Sequence, residues 1–338
     1  MTEQQLGDWR AKALALENLL GQAIIGQPTV IRQLLIAIFA RGHVLLEGSV
    51  GTGKTTLLRA AAQGLGGAYQ RVEGSIDLLP ADLIYYTYLD GNGKPRVEEG
   101  PLLKQGERLA VFFFNEINRA RPQVHAFLLR AMAEQQVSAF NQDFPLPHLQ
   151  VFADRNRVER EETFELPAAA KDRFMFEIHV ATPEDDAVLE QLMFSDKFHD
   201  TGALVSSLAH GLIEYYELNR LAAAVQQSIQ STPRLGQYAL QLWKATHKPQ
   251  DYGIRLPDTD MAALMLAGAS PRAMSQFIRA AKIHAWLLGR SSLLPEDLQA
   301  VFALTVQHRI FLGSQYAYRQ DELLPALISG ILNHIAAP

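Results

Sequence analysis

Cysteine is absent from this chain of 338 residues. Disulfides, thiolate metal sites and cysteine nucleophiles are therefore excluded, and the usage fits a reducing compartment, with the cytoplasm as the expectation. Long apolar runs are missing too. Val30 to Leu46 is interrupted by Arg32, Arg41 and His43, and Val111 to Phe114 is far too short to cross a bilayer, so no membrane span is expected. Met1 to Arg10 is polar and lacks an apolar stretch followed by a small-residue cleavage site, so it does not read as a secretion signal. Neither sign of charge dominates. The formal net charge of -5 disfavours a surface built on phosphate contacts and argues against nucleic acid as the leading partner, leaving open a local basic stripe. Internal repeats and low-complexity tracts are absent as well.

What is present is material for a packed core: 48% of residues are hydrophobic, in a chain longer than one average domain. Leu6, Trp9, Ala13, Leu16 and Leu20 recur at helical spacing, which predicts an amphipathic N-terminal helix over 1–22. Pro28 opens a second helix marked by Ile31, Leu35 and Ile38. Val44-Leu45-Leu46 then reads as a strand entering a glycine-rich loop, and Leu57, Leu58, Ala61, Ala62 and Leu65 restore the helical period. Further buried strands are expected at Ala68 to Val72, Ala110 to Phe114, Leu149 to Ala153 and Phe174 to Val180, and strands separated by helices imply a parallel sheet. Two hairpins interrupt this order. Tyr85 to Asp90 and Lys94 to Val97 flank Gly91-Asn92-Gly93, while Val137 to Phe140 and Phe144 to Leu146 flank Asn141-Gln142-Asp143. Beyond about residue 181 strand signals cease, and helices are expected near 183–195, 203–228, 233–246, 258–268, 271–289, 295–309 and 316–336. The fold class is thus α/β over 23–182, with a five-stranded parallel sheet flanked by helices, followed by an all-α domain over 183–338.

The strongest chemical signal is Gly48-Ser49-Val50-Gly51-Thr52-Gly53-Lys54-Thr55. Glycines let backbone N–H groups approach a phosphate, Lys54 supplies charge toward its outer oxygens, and the Thr55 hydroxyl is a Mg²⁺ ligand of the right kind. The helix that begins there adds its positive end. An ordinary glycine-rich turn is the bland alternative. A second signal is Val111-Phe112-Phe113-Phe114-Asn115-Glu116, an apolar strand that ends in two polar residues. At such a tip an NTPase places one group for the Mg²⁺ hydration shell and one carboxylate for the attacking water. Glu116 suits the second role. Asn115 stands where such enzymes normally carry aspartate, and an amide offers a dipole in place of a charge.

Taken together, these segments resemble the MoxR family of AAA+ ATPases, from about Gly26 to Ile310. The resemblance rests on Gly26-Gln27, on Ile76-Asp77-Leu78-Leu79-Pro80-Ala81-Asp82-Leu83, on Gly100-Pro101-Leu102 and on Asn115-Glu116-Ile117-Asn118-Arg119-Ala120. It continues through Leu128 to Glu134, Leu166-Pro167, Asp172-Arg173-Phe174, Gly268-Ala269-Ser270-Pro271-Arg272-Ala273 and His308-Arg309. The resemblance implies ATP and Mg²⁺ as cofactors, bound by Gly48, Gly51, Thr52, Gly53, Lys54, Thr55, Thr56 and Asn115, with Thr55 on the metal directly and Asn115 through water. It also implies Glu116 as catalytic carboxylate, Asn156 as the sensor of the attacking water or γ-phosphate, and Arg173 as an arginine finger acting on a neighbouring subunit. Arg272 would couple the helical lid to the γ-phosphate. Arg173 and Arg272 also admit plainer readings, as a salt bridge to Asp172 or Glu177 and as a surface arginine at a helix start.

The family resemblance further implies a homo-oligomeric ring, a hexamer by expectation, whose ATPase activity remodels or matures a client enzyme together with a von Willebrand factor A-domain partner. Metal insertion into a dehydrogenase is one such task. Both hairpins would then project toward the ring pore. Two departures stand out. Asn115 opens the alternative of a nucleotide-dependent scaffold with little hydrolysis, and Arg157 replaces the usual proline in the cationic run Arg155-Asn156-Arg157-Val158-Glu159-Arg160, whose charges are expected to pair with Glu159, Glu161 and Glu162, an additional trans-acting arginine being the alternative.

Overall fold

A computed structural model describes residues 1–156 and 163–338. The chain divides into two compact units, one of residues 11–173 and 178–220, the other of residues 1–10, 174–177 and 221–338. All five strands expected from the apolar segments form. They are β1 (His43–Glu47), β2 (Ala68–Glu73), β5 (Leu109–Asn115), β8 (Gln150–Arg155) and β9 (Phe174–His179), in a single sheet of order β2-β5-β8-β1-β9. The recorded pairings of β2 with β5, β5 with β8 and β1 with β8 are parallel. Every residue of β5 is buried, which explains why its sequence is a continuous apolar run and does not alternate.

The first helices are α1 (Glu3–Ala23) and α2 (Pro28–Phe39), the latter with proline in its first turn and eight buried side chains. On α1 the predicted stripe is buried at Leu6, Ala13, Leu16 and Leu20, with Trp9 half-buried. After β1 the loop leads into α3 (Lys54–Leu65), which ends at Gly66 in the left-handed region (φ 69°), its N–H donating to Ala62 O and Gln63 O. Both hairpins are present as β3 (Tyr85–Leu89) with β4 (Pro95–Glu99), and β6 (Gln136–Ala139) with β7 (Gln142–Pro145). In the first, Asp90 Oδ1 accepts from the N–H groups of Asn92 (2.9 Å) and Lys94 (3.0 Å), closing the turn. The second turns one residue earlier than expected. Phe140 and Asn141 carry φ of 52° and 58°, so the reversal is centred on this pair and Gln142 already belongs to the returning strand. α4 (Pro122–Glu134) lies between β5 and the second hairpin, and the short α5 (Ala168–Lys171) between β8 and β9.

The rest of the chain is mainly helical: α6 (Asp186–Phe194), α7 (Thr201–Ser206), α8 (Leu218–Ser228), α9 (Pro233–Ala245), α10 (Met261–Leu264), α11 (Pro271–Leu287), α12 (Pro295–Val306) and α13 (Gln320–His334). Two expectations need correction. The stretch 203–228 is not one helix, because α7 stops at Ser206 and the path through Gly211 (φ 68°) leaves helical geometry before α8. Nor is this region free of strands: β10 (Met265–Ala267) pairs antiparallel with β11 (Phe311–Leu312), two runs too short to show a strand period in sequence. Among the described residues no helix is long and apolar enough to cross a membrane.

Candidate functional site

Parallel strands bring their carboxyl ends to one edge of the sheet, where loops of α/β proteins bind ligands. At the end of β1 the chain passes through the glycine loop into α3. Gly48 is packed so closely that a Cβ there would lie 2.3 Å from Val180 O, while Gly51 and Gly53 have φ of 83° and 85°. Gly53 is the N-cap of α3 and carries no capping side chain, so the first-turn N–H groups of Lys54, Thr55 and Thr56 face the loop without an internal cap. Thr52 Oγ1 donates to Ser49 O at 3.0 Å and holds the loop's curvature. Lys54 is buried, and its Nζ donates to Gly48 O (2.7 Å) and Ser49 O (2.9 Å). Thr55 and Thr56 are partly exposed in the first turn of α3.

The ends of the neighbouring strands complete the edge. Asn115 closes β5 and is buried, with its Nδ2 donating to Glu73 Oε1 at the end of β2. Glu116 follows in the left-handed region (φ 51°), an uncommon conformation for a side chain with a Cβ and one that clusters at functional sites. Its Oε2 accepts from Arg119 Nη1 at 3.0 Å. The turn is locked from two sides. Gly74 N donates to Asn115 O at 2.7 Å, and a Cβ on Gly74 would lie 2.1 Å from Glu116 O. His125 of α4 meets Ile117 O at 2.7 Å through Nε2, and burial pushes its pKa down.

Asp154, on β8, joins the two halves of this edge and was not singled out from the sequence. One carboxylate oxygen accepts from Glu116 N at 2.5 Å and the other lies 3.5 Å from Lys54 Nζ. Its side chain is nearly fully buried, and that burial raises its pKa, opposed by the Glu116 N–H and by Lys54. The available signal was an acidic residue directly after the apolar residues Val151 to Ala153 of an expected strand, a pattern close to the one that drew attention to Glu116. Asn156, the next residue beyond β8 after Arg155, is buried.

The remaining residues are placed as follows. Arg173 follows α5 and Asp172, its Nη1 donating to Ala169 O at 2.9 Å while its Nε has no hydrogen-bond partner among the described residues. Arg272 is exposed in the first turn of α11, whose N-cap Ser270 accepts from Ala273 N; it belongs to the other compact unit. Of the cationic run, residues 157–162 lie outside the described residues. Arg155 bonds the buried Glu47 Oε2 through its Nε and Nη2 at 2.9 and 2.7 Å, at the end of the strand that enters the glycine loop. Salt-bridge partners 108 positions apart are beyond reach of local sequence patterns.

These features define a P-loop ATPase core with a helical C-terminal region. Residues 43–176 match the model of the ATPase family associated with various cellular activities (AAA), and residues 258–327 match the AAA lid domain. The chain belongs to the MoxR family of these ATPases. It is 53% identical to Protein MoxR of Methylorubrum extorquens over 99% of this chain and 98% of that protein, and 52% identical to Protein MoxR of Paracoccus denitrificans over 99% of both. Chaperone MoxR1 of Mycobacterium tuberculosis is 30% identical over 93% of this chain and 79% of its own length. Among solved structures, an ATPase-like protein from Cytophaga hutchinsonii superposes with a TM-score of 0.85 at 28% identity, over 99% of this chain and 98% of that one.

Proposed function

We propose that this MoxR-family protein hydrolyses ATP at subunit boundaries of a homo-oligomeric ring, a hexamer, and uses the cycle to remodel or mature a client protein. The observation that carries the reading is the continuous link from the glycine loop through Lys54 and Asp154 to the backbone of Glu116. It joins a phosphate-binding loop to a carboxylate able to orient water. The similarity to a chaperone from Mycobacterium tuberculosis supports the client-directed part.

The residues present suit a magnesium nucleotide. Uncapped N–H groups at the start of α3, left-handed glycines and a buried lysine make an anion cradle, and Thr55 stands in the first turn to hold the metal, with Asn115 beyond a water. Among the described residues no group of three or more His, Cys, Asp or Glu could hold a metal by itself, so the ion would arrive with the phosphates. Bound Mg²⁺ would neutralise charge on the phosphate oxygens during phosphoryl transfer. Glu116 orients and deprotonates the attacking water, its Oε2 bonded by Arg119 Nη1 at 3.0 Å. Asn156 holds that water or the terminal phosphate by its amide, Arg173 acts on the nucleotide of the adjacent subunit, and Arg272 reports the phosphate state to the lid.

A von Willebrand factor A-domain protein is the expected adaptor, with a client enzyme as the object of remodelling, metal insertion into a dehydrogenase being one form of it. The cytoplasm is the proposed site of action. Turnover measured as phosphate release, together with nucleotide affinity, tests the reading. Arg173→Ala is expected to lower turnover by about 10³-fold or more with affinity nearly intact. Loss of nucleotide binding by that variant would remove the intersubunit role.

A further inference from the structure

We infer that the carboxylate charge for the nucleotide's Mg²⁺, missing at position 115, is supplied by Asp154 from the adjacent strand. This rests on the ATP-and-Mg²⁺ reading above and assigns a residue to it. Phe114 of β5 lies opposite Ala153 of β8, so Asn115 and Asp154 are the next residues at the ends of neighbouring strands. Asp154 also lies opposite Leu46 of β1, two residues before the glycine loop. It therefore stands between the phosphate-binding strand and the strand that bears Glu116.

Charge accounting at this edge separates Asp154 from its acidic neighbours. Glu73 is matched by Arg71 at 2.7 Å, Glu116 by Arg119 at 3.0 Å and Glu47 by Arg155 at 2.7 Å. Asp154 is matched by Lys54 at 3.5 Å, the cation that a bound nucleotide's phosphates would claim. A buried carboxylate deprived of its counter-charge is costly, and a divalent ion carried in with the phosphates restores the balance. Asn115 is unsuited to that task. It is neutral: with Nδ2 donated to Glu73, its Oδ1 offers a metal-bound water a dipole and no charge. A carboxylate has about four lone-pair sites, so the bond from Glu116 N leaves Asp154 capacity for a metal-bound water.

The test compares affinity for a non-hydrolysable ATP analogue in Mg²⁺ and in EDTA for the full-length chain, with Mn²⁺ binding followed by electron paramagnetic resonance. The wild type should show a Mg²⁺-dependent gain in affinity; its absence would remove the magnesium-nucleotide reading itself and this assignment with it. Given that gain, Asp154→Asn should reduce it by about tenfold, and the transposed double variant Asn115→Asp with Asp154→Asn should restore most of it. Asn115→Asp alone, which leaves Asp154 and its contacts in place, should add less than about twofold because the second carboxylate is repelled by the first. The assignment is overturned if Asp154→Asn keeps the full Mg²⁺ gain, or if Asn115→Asp alone raises it about tenfold. That last variant decides the matter even where Asp154→Asn fails to fold.

Discussion

At the scale of single residues, the sheet edge is organised by close approaches that leave little room for substitution. Gly74 has no space for a methyl group, with Glu116 O 2.1 Å from where its Cβ would be. Gly74→Ala is expected to displace the Asn115–Glu116 turn and lower turnover by at least tenfold, with far smaller effects at Gly91, whose Cβ would meet nothing; phosphate release by both variants checks this. Glu116→Gln keeps the shape of the side chain and removes the base. It should retain ATP while turnover falls by roughly 10²- to 10⁴-fold, and a client, if the remodelling reading holds, should remain associated with the ATP-loaded variant in a pull-down. His125 makes the same region sensitive to acid. Because burial depresses its pKa, the folded state favours the neutral ring, and the stability it contributes is complete above the unfolded-state value near 6.5 and is lost as pH falls through the lower folded value. Thermal melts between neutral and mildly acidic pH should therefore show a smaller acid loss for His125→Gln than for the wild type.

At the scale of elements, β5 is both an interior strand buried along its whole length and the support of Asn115 and Glu116. Phe112, Phe113 and Phe114 are fully buried on it, and β2 and β8 flank it. Phe113→Ala should cost about 3–5 kcal/mol in denaturant unfolding, as expected for an aromatic lost from a packed interior. The paired hairpins contrast with this. Tyr86, Tyr88, Leu89 and Val97 on the first and Phe140 on the second are exposed, and the ring of Tyr85, at the base of the first hairpin, lies 5.3 Å from that of Phe140 in the turn of the second. Both hairpins were legible from their turn residues, yet the exact reversal in the second was not. Its centre depends on Phe140 tolerating a positive φ, a conformation that sequence statistics assign to glycine, asparagine or aspartate.

For the molecule as a whole, the reading to be tested is catalysis shared between subunits. Lys54→Ala should abolish nucleotide binding in its own subunit, and Arg173→Ala should disable its neighbour's site. Mixing the two inactive variants should then recover part of the turnover, because some interfaces combine an intact Lys54 with an intact Arg173. If each variant fails independently of the other and mixing recovers nothing, Arg173 acts within its own subunit. The helical region contains its own buried polar anchors. Asp297 is fully buried and receives His284 Nδ1 at 2.7 Å, Leu294 N at 2.8 Å and Arg290, while His308 Nε2 meets Phe174 O at 2.9 Å within the same unit. The His308-Arg309 pair, seen in sequence only as a family match, is thus a structural clamp on the first residues of β9.

What the sequence alone determined was whatever depends on neighbours along the chain. The glycine loop, the five apolar strands, the two hairpins and the polar tip Asn115-Glu116 follow from local spacing and from the conformational needs of glycine and turn residues. Tertiary structure decided the rest, because it depends on strand order. Asp154 meets Glu116 across 38 positions, Asn115 meets Glu73 across 42, and Arg155 meets Glu47 across 108. Only when β8 is placed between β1 and β5 does an unremarked aspartate become the partner of the P-loop lysine.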